Sequence, residues 1–186
     1  MKLPPLLLLC LALSAGAQSD FHALASTEYL LEGGQLEKLT VVTANLQFNI
    51  RPPREWSRSV DDAARRITFT SPSGQGAVTI QFTTNSPGAL PEDDLLRTHL
   101  QQAHPGAGVY NTAVCPTSSR PGVFFDLAGV PAPHVVQKIR HAFVPGPSGV
   151  VEFVLSASNE EFDKDRLALM AMLGAFRVDP IKTRQP

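Results

Sequence analysis

Cysteine, tryptophan and net charge are all scarce in this chain. Of 186 residues, two are cysteine and one is tryptophan, and 16 Lys and Arg stand against 17 Asp and Glu, a formal charge of −1. So even a balance supplies no bulk field for nucleic acid or for an anionic membrane, and neither is expected as a partner. Past Leu13 no apolar run approaches the roughly 20 residues a membrane-spanning helix needs, so no integral membrane segment is expected once the N-terminus is processed. There is no Gly-x-Ser-x-Gly elbow, and "PSGQGA" lies between two strand-like runs where a phosphate loop would lead from a strand into a helix.

The N-terminus is rich in what the rest lacks. "MKLPPLLLLCLALSAGAQS" has one lysine, an apolar run from Leu6 to Leu13 and small residues at Ala15-Gly16-Ala17. That is the three-part pattern of a secretory signal over residues 1–17, with cleavage after Ala17 and an exported mature protein, periplasmic or secreted. Cys10 sits inside the apolar run behind Leu9, not behind a small residue, which argues against a lipid anchor. The mature chain then carries 15 basic and 17 acidic residues and a single cysteine, Cys115. No intramolecular disulfide is possible, and a buried thiol is expected in "TAVCPT".

Residues 18–34 read as a lead segment with a short helix around "HALASTEYLLEGG", closed by Gly33-Gly34. One domain is expected over 35–180, followed by a tail at 181–186. "EKLTVVTA" and "LQFNI" read as strands, and Pro52-Pro53 forces a turn into the loop "RPPREWSRSVDDAA". "RRITFTS" and "AVTIQFTT" alternate with period 2, and pairing Ile67 with Ile80 and Phe69 with Val78 keeps the apolar rows on one face. "LPEDDLLRTHLQQAHPG" has helical period, with Pro91 and acidic residues at its start and a stripe of Leu95, Leu96, His99, Leu100 and Ala103. Three strands follow. In the last hairpin Ile139, His141 and Phe143 are expected to align with Val151, Phe153 and Leu155. A final helix is expected over about 159–173, its N-cap at Ser158 or Asn159, which makes Ser156 and Ser158 junction residues and not nucleophiles.

The order of these elements, carried by "LQFNIRPPREW", "ITFTSPSGQGAVTIQF", "HPGAGV" and "VEFVLSASNEEFDKDRLALMAMLGAFRV", resembles the PsbP-like family. That family is named for an extrinsic lumenal subunit of photosystem II, and its fold also occurs in a Ran-binding nuclear factor and in exported bacterial proteins. The resemblance implies an α+β domain of the Mog/PsbP type. This is an α/β/α sandwich on a central antiparallel sheet of about six to eight strands. It implies no activity, because fold does not fix function. The loop here reads Arg-Glu-Trp where the family often has Gly-Trp, and no photosystem-specific or Ran-binding signature is present to carry over.

Metal-ligating pairs are not apparent in the spacing. His99 and His104 are five apart, not the four that stack two imidazoles on a helix, and His134 and His141 are seven apart on a strand and so face opposite ways. His99 and His141 both fall on apolar faces, where a hydrogen-bonded structural histidine is expected. No catalytic residue, cofactor or metal is assigned. The function expected is that of a non-catalytic, monomeric accessory or binding protein with an unidentified protein partner; the alternative is a hydrolase or metal-dependent protein. The partner site is assigned to Arg51, Arg54, Trp56 and Arg58, because tryptophan and arginine are enriched at interface hot spots. The competing role for Trp56 is a plug at the end of a sheet.

Overall fold

In the computed structural model, which describes residues 20–29, 31, 33–43, 46–83, 89–118, 120–132, 135–147 and 149–180, eleven strands and two helices are arranged around two antiparallel sheets. In chain order they are β1 (Phe21–Tyr29), β2 (Gln35–Thr43), β3 (Leu46–Ile50), β4 (Ser57–Asp61), β5 (Arg66–Thr70), β6 (Gly76–Thr83), α1 (Asp93–Ala103), β7 (Gly108–Cys115), β8 (Gly122–Ala132), β9 (Val135–Gly146), β10 (Gly149–Ser158), α2 (Phe162–Ala175) and β11 (Arg177–Pro180). The larger sheet runs β4-β5-β6-β10-β9-β8-β7 and the smaller β1-β2-β3-β11. Residues 1–17, the expected signal, and the tail 181–186 lie outside the described residues, as does His134.

The larger sheet buries one face from β5 to β8 and the other over β8 and β9, leaving the threonine face of β5 and β6 partly exposed. On one, Ile67, Phe69, Val78, Ile80, Val151, Phe153 and Leu155 meet Leu169, Met172 and Leu173 of α2 and Phe48 and Phe176 from around the smaller sheet. On the other, Leu96 and Leu100 of α1 cover Val123, Phe125, Leu127, Ile139 and Phe143. Helices on opposite faces of one antiparallel sheet make the expected α/β/α sandwich. The smaller sheet shares α2's face and was not expected. Ile67 pairs with Ile80 and Phe69 with Val78, as the alternation required.

Four expectations are corrected. The segment read as a short helix is strand β1, paired with β2 along its whole length from Phe21↔Thr43 to Tyr29↔Gln35. In the β9–β10 hairpin, Ile139, His141 and Phe143 oppose Ser156, Val154 and Glu152, while Val151, Phe153 and Leu155 oppose Val144, Ala142 and Arg140. The register differs by one because β9 is buried on both sides, so its apolar pattern does not select a face. His99 is exposed, not apolar-facing, because α1 presents only Leu96 and Leu100 to the sheet. Helix α2 begins at Phe162, three residues late. The Ser158 hydroxyl accepts from the Glu161 N–H at 3.3 Å and donates to Gln75 Oε1 at 3.2 Å, closing the turn before the helix. Ser156 donates to Gln137 Oε1 at 2.7 Å, so both serines are tied into the junction.

Candidate functional site

Strand β1 departs from the core almost at once: Phe21 is fully buried, but from Leu24 onward every residue of the strand is exposed. It is also the edge of its sheet, so among the described residues one side of its backbone has no strand beside it. The β1–β2 hairpin therefore projects, and it displays Leu24 (62% exposed), Tyr29 (75%) and a fully exposed Leu31.

Two of the three arginines assigned from the sequence meet this hairpin. Arg51 donates to Glu28 Oε2 at 3.1 Å, and Arg58 donates to Glu37 Oε1 at 2.7 Å, so the loop after β3 is tied to β1 and the start of β4 to β2. Arg54 is exposed and makes no ion pair among the described residues. Its neighbour Glu55 holds φ at 65°, a left-handed conformation that is costly for a side chain with a Cβ. Trp56 is half-buried and packs against the main core. The structure thus brings Arg51 and Arg58 together with the hairpin, leaves Arg54 exposed, and packs Trp56 partly against the core. Glu28 and Glu37 were not legible as partners, because the segment holding Glu28 read as a helix.

Beside Arg51 a groove of about 380 Å³ runs between the smaller sheet and the end of α2, lined by Glu28, Lys38, Asn49, Arg51, Arg177 and Asp179 among others. Its carboxylates are engaged: Glu28 by Arg51, and Asp179 by the Asn49 side-chain N–H at 2.7 Å. Lys38 and Arg177 have no ion-pair partner among the described residues, so the groove has cationic capacity to spare.

A second polar cluster lies on the α1 side of the larger sheet and was missed in the sequence. His104 is the residue that ends α1, where its backbone N–H bonds to the Leu100 carbonyl, and His141 is in the middle of β9. Their Nε2 atoms are 3.1 Å apart. His141 Nδ1 donates to Glu152 Oε1 on β10 at 2.7 Å, and the ring stacks on Phe143. With the Nδ1 proton committed to the carboxylate, a neutral His141 presents its Nε2 lone pair, and His104 Nε2–H donates to it. Burial, together with the neighbouring His141, lowers the His104 pKa below the usual histidine value, while Glu152 opposes the shift.

Other buried polar groups read as structural. Asp126 and Arg140 form a two-pronged ion pair at 2.6 and 2.7 Å, with Asn111 donating to Asp126 at 2.9 Å and Phe124 beneath the guanidinium at 4.0 Å. Cys115 is fully buried, and burial pushes its thiol up to about 11, the opposite of what a nucleophile needs. Among the described residues no group of three or more His, Cys, Asp or Glu is placed to hold a metal, and no helix is long and apolar enough to cross a membrane.

No protein-family profile matches the sequence, and no curated protein is significantly similar to it. Among solved structures, the solution structure of cyanobacterial PsbP (CyanoP) from Synechocystis sp. PCC 6803 is similar, at 12% identity over 89% of this chain and 96% of that one, with a TM-score of 0.45. This is a likeness of fold, and no role is taken from it.

Proposed function

We propose that the chain is a non-catalytic accessory module that binds a protein partner through the β1–β2 hairpin and the adjoining loop Arg51–Arg58. The observation that carries this reading is the hairpin. Single exposed apolar residues are ordinary, but Leu24, Tyr29 and Leu31 share one projecting element with an open strand edge. An extended partner segment would add a strand to β1 and gain main-chain hydrogen bonds there. Tyrosine and arginine supply anchors of the kind enriched at hot spots. Arg54, Lys38 and Arg177 favour acidic groups on that partner, and the Arg51–Glu28 and Arg58–Glu37 pairs are exposed enough to exchange partners at small cost. The secretory pattern of residues 1–17 supports meeting the partner after export, with the chain itself monomeric.

The test is comparative capture from the exported fraction with wild type, Tyr29→Asp and Arg54→Glu, all shown to melt alike. Loss of one wild-type species in both variants is expected. Retention of every species in both would overturn the assignment of this surface.

A further inference from the structure

The geometry of the two histidines points to a site for a borderline transition-metal dication, of which Zn²⁺ is the natural probe, between His104 Nε2 and His141 Nε2; we propose that the pair binds such an ion with Glu152 as the carboxylate behind it. Zinc–imidazole bonds of about 2.0–2.1 Å at a tetrahedral angle set two ligand nitrogens about 3.3–3.4 Å apart. The observed separation of 3.1 Å is within a few tenths of an ångström of that value. The rings are inclined at 57° with centroids 5.1 Å apart, so neither lies flat on the other and both present edges to the shared space.

The hydrogen bonding already suits metal uptake. A ligating histidine commonly donates its second ring N–H to a carboxylate, which fixes the tautomer and raises the basicity of the ligating nitrogen. His141 does this: Nδ1–H is held by Glu152 at 2.7 Å, so Nε2 is the free lone pair. His104 needs only to carry its proton on Nδ1, not Nε2, to offer a second lone pair to the same point. Both imidazoles stay neutral in that tautomer shift, and the ion replaces one N–H···N hydrogen bond. Entry is from the His104 side, since His104 is half-buried at the helix end and His141 is enclosed.

Two protein nitrogens leave the remaining coordination positions to water or to a ligand from outside. That makes an exchangeable site, unlike the closed four-ligand sites that hold folds together. The preference follows from the donors: imidazole suits zinc, copper and nickel, whereas magnesium and calcium want oxygen. His99 supplies no ligand, being exposed on α1.

The experiment is Zn²⁺ titration of the untagged chain by calorimetry, with Mg²⁺ as control, alongside imidazole NMR signals of the wild type. The expected result is one equivalent of Zn²⁺ bound, with the ring signals of His104 and His141 shifting together and no response to Mg²⁺. His104→Ala is expected to weaken binding at least tenfold, Glu152→Gln by roughly 10–100-fold as for other carboxylates behind a ligating histidine, and His99→Ala not at all. Absence of Zn²⁺ uptake by wild type would overturn the proposal. So would uptake in which the His104 and His141 signals do not move, or in which folded His104→Ala and Glu152→Gln keep wild-type affinity. If a variant fails to fold, the wild-type ring signals decide alone.

Discussion

His104 and His141, 37 residues apart in sequence, share a hydrogen bond between their Nε2 atoms, with Glu152 on the far side of His141. Burial of His104, together with the neighbouring His141, disfavours its charged form, so the folded state binds protons there less readily than the unfolded chain, whose value is near 6.5. A depressed pKa gives stability that is present above the unfolded value and lost as pH falls through the folded one. Melting temperature is expected to drop as pH falls from about 7 through that window. His104→Gln, which cannot titrate, is expected to lose less over the same range. The check is a pair of melting curves against pH; parallel curves would contradict the assignment.

Cys115 is expected to resist thiol reagents in the native protein. It is fully buried and its thiol is pushed up to about 11, so almost no thiolate exists at neutral pH and the reagent has no access. Labelling should be slow in buffer and complete in denaturant. Rapid native labelling, or a disulfide-linked dimer on a non-reducing gel, would show that the β7 end opens.

Asp126 and Arg140 should be intolerant of single substitution. Both are almost fully buried and each satisfies the other, so removing one leaves a charge without its partner in a dry setting. Asp126→Ala is expected to cost about 3–5 kcal/mol in denaturant unfolding. Replacing both residues with apolar ones of similar size should cost much less than the sum of the single changes, which a double-mutant cycle measures directly.

Trp56→Ala should destabilise by about 2–3 kcal/mol, below the roughly 3–5 of a fully enclosed tryptophan, because the ring packs on the core but stays half-exposed. Urea denaturation gives the number. A variant as stable as wild type would mean the ring makes no structural contact of consequence, and would return Trp56 to the list of binding residues.

The parts of the fold that were legible are those where one face is buried and the other is wet. Ile67, Phe69, Val78 and Ile80 alternate with threonines, and the contrast alone sets their register. β9 gives no such contrast: Ile139 and Phe143 face α1 while Ala142 and Val144 face α2, and the buried Arg140 reads as a surface residue until Asp126 is seen beside it. β1 was illegible for the opposite reason, since after Phe21 almost nothing in it is buried and period carries no signal. Of the assigned site, the arginines and the tryptophan were visible as residue types. Their ties to Glu28 and Glu37, and the meeting of a helix-end histidine with one on a central strand, depend on tertiary contacts between distant segments that no local spacing encodes.

Site-specific photo-crosslinking from position 29 in the exported compartment tests the binding reading most directly. A photoreactive residue replacing Tyr29 is compared with one replacing Leu167, which is 67% exposed on α2 and outside the proposed surface. The account predicts a discrete protein adduct from position 29, none from position 167, and loss of the adduct when Arg54→Glu is added. No adduct from position 29, or the same adducts from both positions regardless of Arg54, would contradict it.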